Sequence, residues 1–269
     1  MRSIVLQYTN SSGKRKRMAQ DREKKLNKLL ENKIEIPTTE KNVKIEMNMI
    51  EDSSTIPLKI NNLFFKYDES DRMIIDDLTF AIYKGEKFLV VGQNGVGKST
   101  LLKLIMGILT PINGSIEKTS KTSIGYYAQE HETLDKDKTI LENFFDLNMS
   151  ERQIRSVLGR FLFFGDDVNK KIHVLSPGER SRAVLAKLSV CGNNLLILDE
   201  PTNHLDPETQ DIIAEMLKNY KGTILMVSHN TAFVEKVGIE RILVLPYGKI
   251  SYYDKSLVKF YEDINTKKE

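Results

Sequence analysis

From residue 58 onward short apolar runs alternate with stretches of helical period, and Gly, Pro or Asn marks most of the changes. Leu58–Tyr67 and Leu78–Tyr83 alternate like strands, and Lys84-Gly85-Glu86 turns the chain into an apolar strand over Lys87–Val91. A glycine loop follows, then a helix from Lys98 to Met106. Pro111, Asn113 and Gly114 predict a turn before another strand. Thr122–Ala128 is strand-like, Thr139–Phe164 has a helical pattern, and Leu195–Leu198 is short and apolar enough for a fully buried strand. Glu208–Asn219 predicts a helix and Thr223–Val227 a strand. Strands that alternate with helices predict an α/β fold, a mostly parallel sheet covered on both faces. No internal repeat interrupts the series.

The first 56 residues are different. From Gly13 to Lys33 there is no Pro and no internal Gly, and helix formers dominate. Met18, Leu26, Leu29 and Leu30 make an apolar stripe too thin for a globular core but wide enough for one partner helix. Residues 1–36 therefore read as a basic helical arm, 37–56 as a flexible linker opening at Pro37, and 57–269 as the compact domain. The net charge of +3 is unevenly spread. Residues 1–50 hold 12 Lys/Arg against 6 Asp/Glu, so the remainder of the chain is acidic. A local cationic surplus suits a polyanion, because neutralised phosphates release counterions; a solvated helix face is the plainer account. No apolar run reaches the roughly 18–20 residues that span a bilayer. The N-terminal apolar stretch is short for a secretory signal and Cys191 is the single cysteine, so a cytoplasmic location without direct membrane insertion is expected.

Three segments carry recognisable chemistry. Gly92-Gln93-Asn94-Gly95-Val96-Gly97-Lys98-Ser99 lies between a predicted strand and a predicted helix, the context in which this spacing cradles phosphate. Its glycines let backbone N–H groups converge on the anion, and the helix N-terminus adds its positive end. Gly92, Asn94, Gly95, Gly97, Lys98, Ser99 and Thr100 are the candidate contacts. Lys98 is placed to reach the outer phosphates, and Ser99 offers a hydroxyl to Mg2+. Asp199 ends the strand Leu195–Leu198, where it would hold Mg2+ through its outer shell, and adjacent Glu200 would orient and deprotonate an attacking water. His229, at the end of the strand Thr223–Ser228, would touch a γ-phosphate. Taken singly, these residues could be a glycine turn, a solvated carboxylate pair and a structural histidine; their order along one chain favours a joint site. Gln129, between the glycine loop and Ser176, adds a weaker candidate for nucleotide and metal.

With Leu175-Ser176-Pro177-Gly178-Glu179, these segments resemble the nucleotide-binding domain of the ATP-binding cassette superfamily over residues 57–250. The resemblance implies a P-loop fold with a mostly parallel core, an antiparallel β subdomain and a helical subdomain, and ATP with Mg2+ as ligands. It implies that Tyr67 stacks on adenine, that Ser99, Gln129 and Asp199 serve the metal, and that Glu200, His229 and Lys98 serve catalysis. It also implies that Ser176, Gly178 and Glu179 act in trans, on ATP held by a second cassette, so that hydrolysis needs a cassette dimer. The string Asp199-Glu200-Pro201-Thr202-Asn203-His204-Leu205-Asp206, with Leu158-Gly159-Arg160-Phe161-Leu162-Phe163, is similar to the ABC-F subgroup. Those proteins have no membrane domain, act on ribosomes, and join two cassettes by a helical hairpin that reaches toward tRNA and the peptidyl-transferase centre.

The basic arm Lys14–Lys33 resembles the returning helix of that hairpin, so the chain resembles the second half of an ABC-F protein. The implied function is ATP hydrolysis on the ribosome, as a translation factor or as an antibiotic-resistance protein that displaces drugs. Its implied partners are a second cassette, either another copy or a separate first half, and rRNA or tRNA bound through residues 14–33. The cassette core alone would permit a transporter's motor subunit, and the absence of a first cassette leaves open a truncated, non-hydrolysing binding module. The Asn203-His204 pair and the cationic arm weigh against the first, and intact Lys98, Asp199 and Glu200 against the second. Pro177 replaces a usual glycine and removes one N–H donor. Asn230-Thr231 stands where an Asp-Arg pair is common, which leaves open how the loop after His229 is held.

Overall fold

The computed structural model describes residues 55–68, 72–128 and 134–266. The chain divides into two units, Met1–Val43 and Lys44–Glu269, and everything described belongs to the second. The expected arm over residues 14–33, the linker up to residue 54, and Gln129 lie outside the described residues.

In chain order the elements are β1 (Leu58–Phe65), β2 (Ile75–Ile82), β3 (Lys87–Val91), α1 (Lys98–Met106), β4 (Asn113–Lys118), β5 (Ile124–Tyr127), α2 (Glu151–Arg160), α3 (Pro177–Leu188), β6 (Leu195–Asp199), α4 (Pro207–Asn219), β7 (Thr223–Val227), α5 (Thr231–Val237), β8 (Arg241–Val244), β9 (Lys249–Tyr252) and α6 (Lys255–Thr266). Strands β2-β1-β4 form an antiparallel sheet, and β5-β6-β7-β3-β8-β9 a six-stranded sheet that is parallel except at the β8–β9 edge.

Apart from Lys87, Asp199 and Thr223 at their ends, the central strands β3, β6 and β7 are apolar because both faces of their sheet are covered, and the pleat divides successive residues between two cores. Leu89, Val91, Leu196, Leu198, Ile224 and Met226 face one core with residues of α2 to α6. Phe88, Val90, Leu195, Ile197, Leu225 and Val227 face the other, with α1 and the antiparallel sheet. The expected α/β architecture is therefore present, and its antiparallel subdomain is β1, β2 and β4.

Two local expectations are corrected. Thr139–Phe164 is not one helix. Thr139 N donates to Glu142 Oε2 at 2.7 Å and Glu142 N donates to Thr139 Oγ1 at 3.1 Å, and only a 3-10 turn, Glu142–Phe144, follows. Ser150 then starts α2 with a reciprocal bond to Gln153. Side-chain oxygens that satisfy backbone N–H groups at two starts split one helical pattern into two pieces. Asn113 and Gly114 are not a turn but the first residues of β4. Gly114 (φ 88°) lies so close to β1 that a Cβ would sit 2.1 Å from Asn62 O, a contact only glycine permits.

Lys87 joins helix ends under the sheet. Its Nζ donates to Lys218 O (2.7 Å) and Val237 O (3.1 Å), near the C-termini of α4 and α5. A cation there complements both helix dipoles and two carbonyls lacking intrahelical partners. Burial lowers the Lys87 pKa, with Glu240 opposing the shift. Replacing Lys87 by Met should cost about 1–3 kcal/mol, because the buried Val237 carbonyl and the part-buried Lys218 carbonyl both lose their donor. Urea denaturation measures this, and an unchanged unfolding midpoint would remove Lys87 from the account.

Candidate active site

Parallel pairing places the site. β6, β7 and β3 are adjacent and run the same way, so their carboxyl ends, and the loops that leave them, meet at one edge of the sheet. From β3 comes the Gly92–Ser99 loop, from β6 come Asp199 and Glu200, and from β7 come Ser228 and His229. Asp199 stands opposite Val227 in the β6–β7 register, and Glu200 N donates to Val227 O at 2.9 Å.

These ends open into a cleft of about 910 Å3. Tyr67, Asn94, Gly95, Gly97, Lys98, Ser99, Thr100, Asp199, Glu200 and His229 all line it. Gly92 does not line it but turns its carbonyl onto Lys98. Gly97 (φ 107°) is the N-cap of α1, and no side chain caps that helix. A Cβ on Gly97 would lie 2.7 Å from Ile74 Cγ2, so the loop can pass Ile74 only as glycine. An uncapped helix start behind a glycine loop is the geometry of an anion cradle.

Lys98 is 8% exposed. Its Nζ donates to Gly92 O and Gln93 O, each at 3.0 Å. Burial lowers its pKa, while Glu200 and Asp199 pull it back up. Asp199 is 2% exposed and its carboxyl pKa is raised by burial, against opposing effects from the Ser99 hydroxyl and Lys98. Its Oδ1 has no hydrogen-bond partner. A buried, unsatisfied carboxylate oxygen beside a serine hydroxyl is a hard-oxygen donor set that suits Mg2+. Among the described residues no cluster of three or more His, Cys, Asp or Glu could hold a metal by itself, so further ligands would have to come from phosphate and water.

Glu200 has φ 50°, in the left-handed region that non-glycine residues enter at a cost of about 1 kcal/mol. Its Oε2 accepts from His229 N at 3.3 Å, and its Oε1 lies 3.1 Å from His229 Nε2 without making a hydrogen bond. Burial, aided by Asp199, pushes the Glu200 pKa up to about 7. Burial, aided by Lys98, pushes His229 down to about 4, so the imidazole is neutral at pH 7 and the pair is not an ion pair. Tyr67, 43% exposed, is held by its hydroxyl 3.0 Å from Thr100 Oγ1 and by an edge-on contact with Phe65.

Ser176, Gly178 and Glu179 do not line this cleft. Ser176 caps α3: its Oγ accepts from Glu179 N at 3.3 Å, while its own N–H donates to Glu179 Oε2 at 2.8 Å. Pro177 falls at the first helical position, where the N–H it lacks would have had no partner within the helix, so the expected loss of a donor costs α3 nothing. Gly178 packs on the loop after β6: a Cβ there would be 2.6 Å from His204 O. His204, Thr202, Asn203, Gln210 and Asn230 also line the cleft. Gln210 gives no signal in the sequence, since a single glutamine in a helix's first turn has no motif around it. The Asn230 loop is firmly held: the side-chain oxygen of Asn230 caps α5 by accepting from Phe233 N at 3.0 Å.

A glycine cradle at the end of β3 with two carboxylates at the end of β6, the next strand but one, defines a P-loop nucleotide-binding domain of the cassette type. Residues 75–203 match the family described as ABC transporter. The fold is similar to a solved structure described as a dimeric post-hydrolysis state of the ATP-binding cassette MJ0796 bound to ADP and Pi, with TM-score 0.62 and 23% identity, covering 72% of this chain and 98% of that one. Among curated proteins the chain is 39% identical over 216 residues to a putative ATP-binding protein, YdiF, of Bacillus subtilis (80% of this chain, 33% of the relative). It is 36% identical over 248 residues to ABC transporter F family member 2 of Arabidopsis thaliana (90% and 36%). It is 34% identical over 211 residues to the energy-dependent translational throttle protein EttA of Escherichia coli (76% and 38%). The chain belongs to the ABC-F subgroup of the ATP-binding cassette superfamily. It spans about a third of the length of the curated relatives it matches.

The raised Glu200 pKa has a consequence for stability. The folded protein favours the protonated acid, so the stabilisation is complete below about pH 4.5 and is lost as pH rises through about 7. Glu200→Gln should therefore stabilise the nucleotide-free protein at pH 8 by about 1–3 kcal/mol and lose that advantage near pH 4.5. Thermal melts of both proteins across this range decide it; equal melting temperatures at pH 8 would contradict the buried-acid account.

Proposed function

We propose that the chain binds Mg2+·ATP and hydrolyses it as an ABC-F cassette working on the ribosome. The observation that carries the hydrolytic part is the convergence of Lys98, Ser99, Asp199, Glu200 and His229 on one cleft. Lys98 exchanges its loop carbonyls for the outer phosphates, and the open first turn of α1 supplies backbone donors. Ser99 and Asp199 would hold Mg2+, which supplies charge neutralisation to the phosphate oxygens. Gln129 is retained as a third metal contact on the resemblance alone. Glu200 orients and deprotonates the attacking water, and neutral His229 donates toward the γ-phosphate. Tyr67 stacks on adenine.

Ser176, Gly178 and Glu179 lie away from the chain's own cleft, which supports their use on ATP held by a second cassette. That second cassette would be another copy or a separate first half. The ribosomal part draws support from the relative named as a translational throttle and from the cationic arm over residues 14–33. We assign the arm to rRNA or tRNA, with residues 37–56 as linker, 57–269 as cassette, and the cytoplasm as the working compartment. No helix of the described residues is long and apolar enough to cross a membrane. The output would be control of translation or, in a resistance factor, displacement of a ribosome-bound drug.

Two measurements test the hydrolytic part. Glu200→Gln should retain ATP binding while turnover falls roughly 10^2–10^4-fold, the size expected for a positioned general base. Turnover measured with Ser176→Arg and Lys98→Ala mixed should exceed that of either alone, because each supplies the half-site the other lacks; parental turnover in Glu200→Gln, or no recovery in the mixture, would defeat the corresponding assignment. For the arm, replacing Lys14, Arg15, Lys16 and Arg17 by Gln should weaken salt-sensitive ribosome co-sedimentation of ATP-bound Glu200→Gln protein, with the salt slope falling by about one unit per lost phosphate contact. ATP affinity should stay as it was. Intact co-sedimentation with a lower melting temperature would mean that the arm only packs on the cassette.

A further inference from the structure

Gln210, in the first turn of α4, and Asn230, in the loop after β7, both line the cleft and are bonded to each other. Asn230 Nδ2 donates to Gln210 Oε1 at 2.9 Å, and Gln210 Nε2 donates to Leu205 O at 2.9 Å. The direction of this chain is fixed at one end. Phe233 N–H can only donate, so the Asn230 atom 3.0 Å away must be Oδ1. Nδ2 therefore points at Gln210, whose facing atom must be the acceptor Oε1, and Nε2 is left to reach the Leu205 carbonyl. All four amide atoms have one defined role, and neither side chain can flip without setting like against like.

The bridge connects two loops that bear on the site. Asn230 directly follows His229, whose backbone N–H holds Glu200 Oε2 and whose ring lies 3.1 Å from Oε1. Leu205 follows His204, whose carbonyl abuts Gly178 at the start of α3. We propose that Gln210 and Asn230 are positioning residues: their neutral amide bridge sets where His229 stands against Glu200 and ties that setting to the loop on which the Ser176–Gly178 helix start rests. The proposal rests on the hydrolytic reading above for its kinetic consequence. It does not rest on that reading for the geometry.

The chemistry of the bridge dictates the test. Asn230→Asp keeps the cap on Phe233 N but turns the donor Nδ2 into an acceptor; if Gln210 flips to serve it, Oε1 then faces Leu205 O, so one bond is lost either way. Gln210→Lys sets a cation against the Asn230 amide donor. Together the two changes restore the bridge, since one ammonium can donate both to the carboxylate introduced by Asn230→Asp and to the Leu205 carbonyl. Measured with the partner cassette or at a concentration that supports turnover, each single variant should lose about tenfold in kcat with KM for ATP unchanged, the effect of misplacing a catalytic group, and the double variant should return to within about twofold of the parent. Hydrogen–deuterium exchange over residues 228–233 should speed up in each single variant and recover in the double.

Unchanged kcat in the single variants, with only a lower melting temperature, would overturn the proposal and leave the bridge a structural cross-link. If the parent itself shows no turnover, the hydrolytic reading fails and exchange decides: faster exchange in both single variants, reversed in the double, supports the positioning bridge, and unaltered exchange overturns it.

Discussion

One buried cation, Lys98, stands beside the buried carboxylate Asp199 and the partly buried carboxylate Glu200, and the desolvation of all three is the constraint on which the site depends. In water these charges would cost little. At the sheet edge, burial is the largest influence on each pKa: it lowers Lys98 and raises Asp199 and Glu200. Neither carboxylate can be fully satisfied by one ammonium that already serves two loop carbonyls, and both retain an oxygen without a hydrogen-bond partner. A ligand bringing phosphate for the lysine and a divalent cation for the aspartate would relieve such a site.

The rest of the fold makes that arrangement rigid. Parallel β6, β7 and β3 align three loop exits at one edge, and helices and the antiparallel sheet bury the two faces so completely that their strands carry no polar pattern. Lys87, at the opposite end of β3, satisfies the carbonyls of α4 and α5. Backbone strain within the site sits in the loop after β6, where Glu200 and His204 occupy left-handed conformations that cost about 1 kcal/mol each. Gln210 and Asn230 brace the same loop with uncharged groups, which adds no further charge beside a site already crowded with them.

The start of α3 shows how a local rule and a remote contact combine. The Ser176–Glu179 capping box makes the helix begin where it does, and Pro177 fits because the first helical position needs no donor. Gly178 answers to something beyond its helix, since the His204 carbonyl occupies the space that a Cβ would need. A residue type chosen for one loop thus connects the rim of the cleft with a surface outside it.

The cradle, the Asp199-Glu200 pair, the subgroup markers and the strand–helix alternation are legible in the chain itself, because each depends on a short stretch whose local chemistry has few alternatives. A pattern misleads where it admits two local solutions. Thr139–Phe164 keeps a helical period, yet Thr139 and Ser150 each offer a side-chain oxygen to the backbone and the helix breaks between them; Asn113-Gly114 has turn composition, yet the nearness of β1 makes the glycine a strand residue. Which residues of the apolar strands face which core emerges only from the packed fold, since unbroken apolar runs carry no period. The same holds for the pairing of Gln210 with Asn230, twenty residues apart in the chain. It holds too for the Glu200 and His229 pKa values, because burial, a property of the surroundings and not of the residue, is their largest cause.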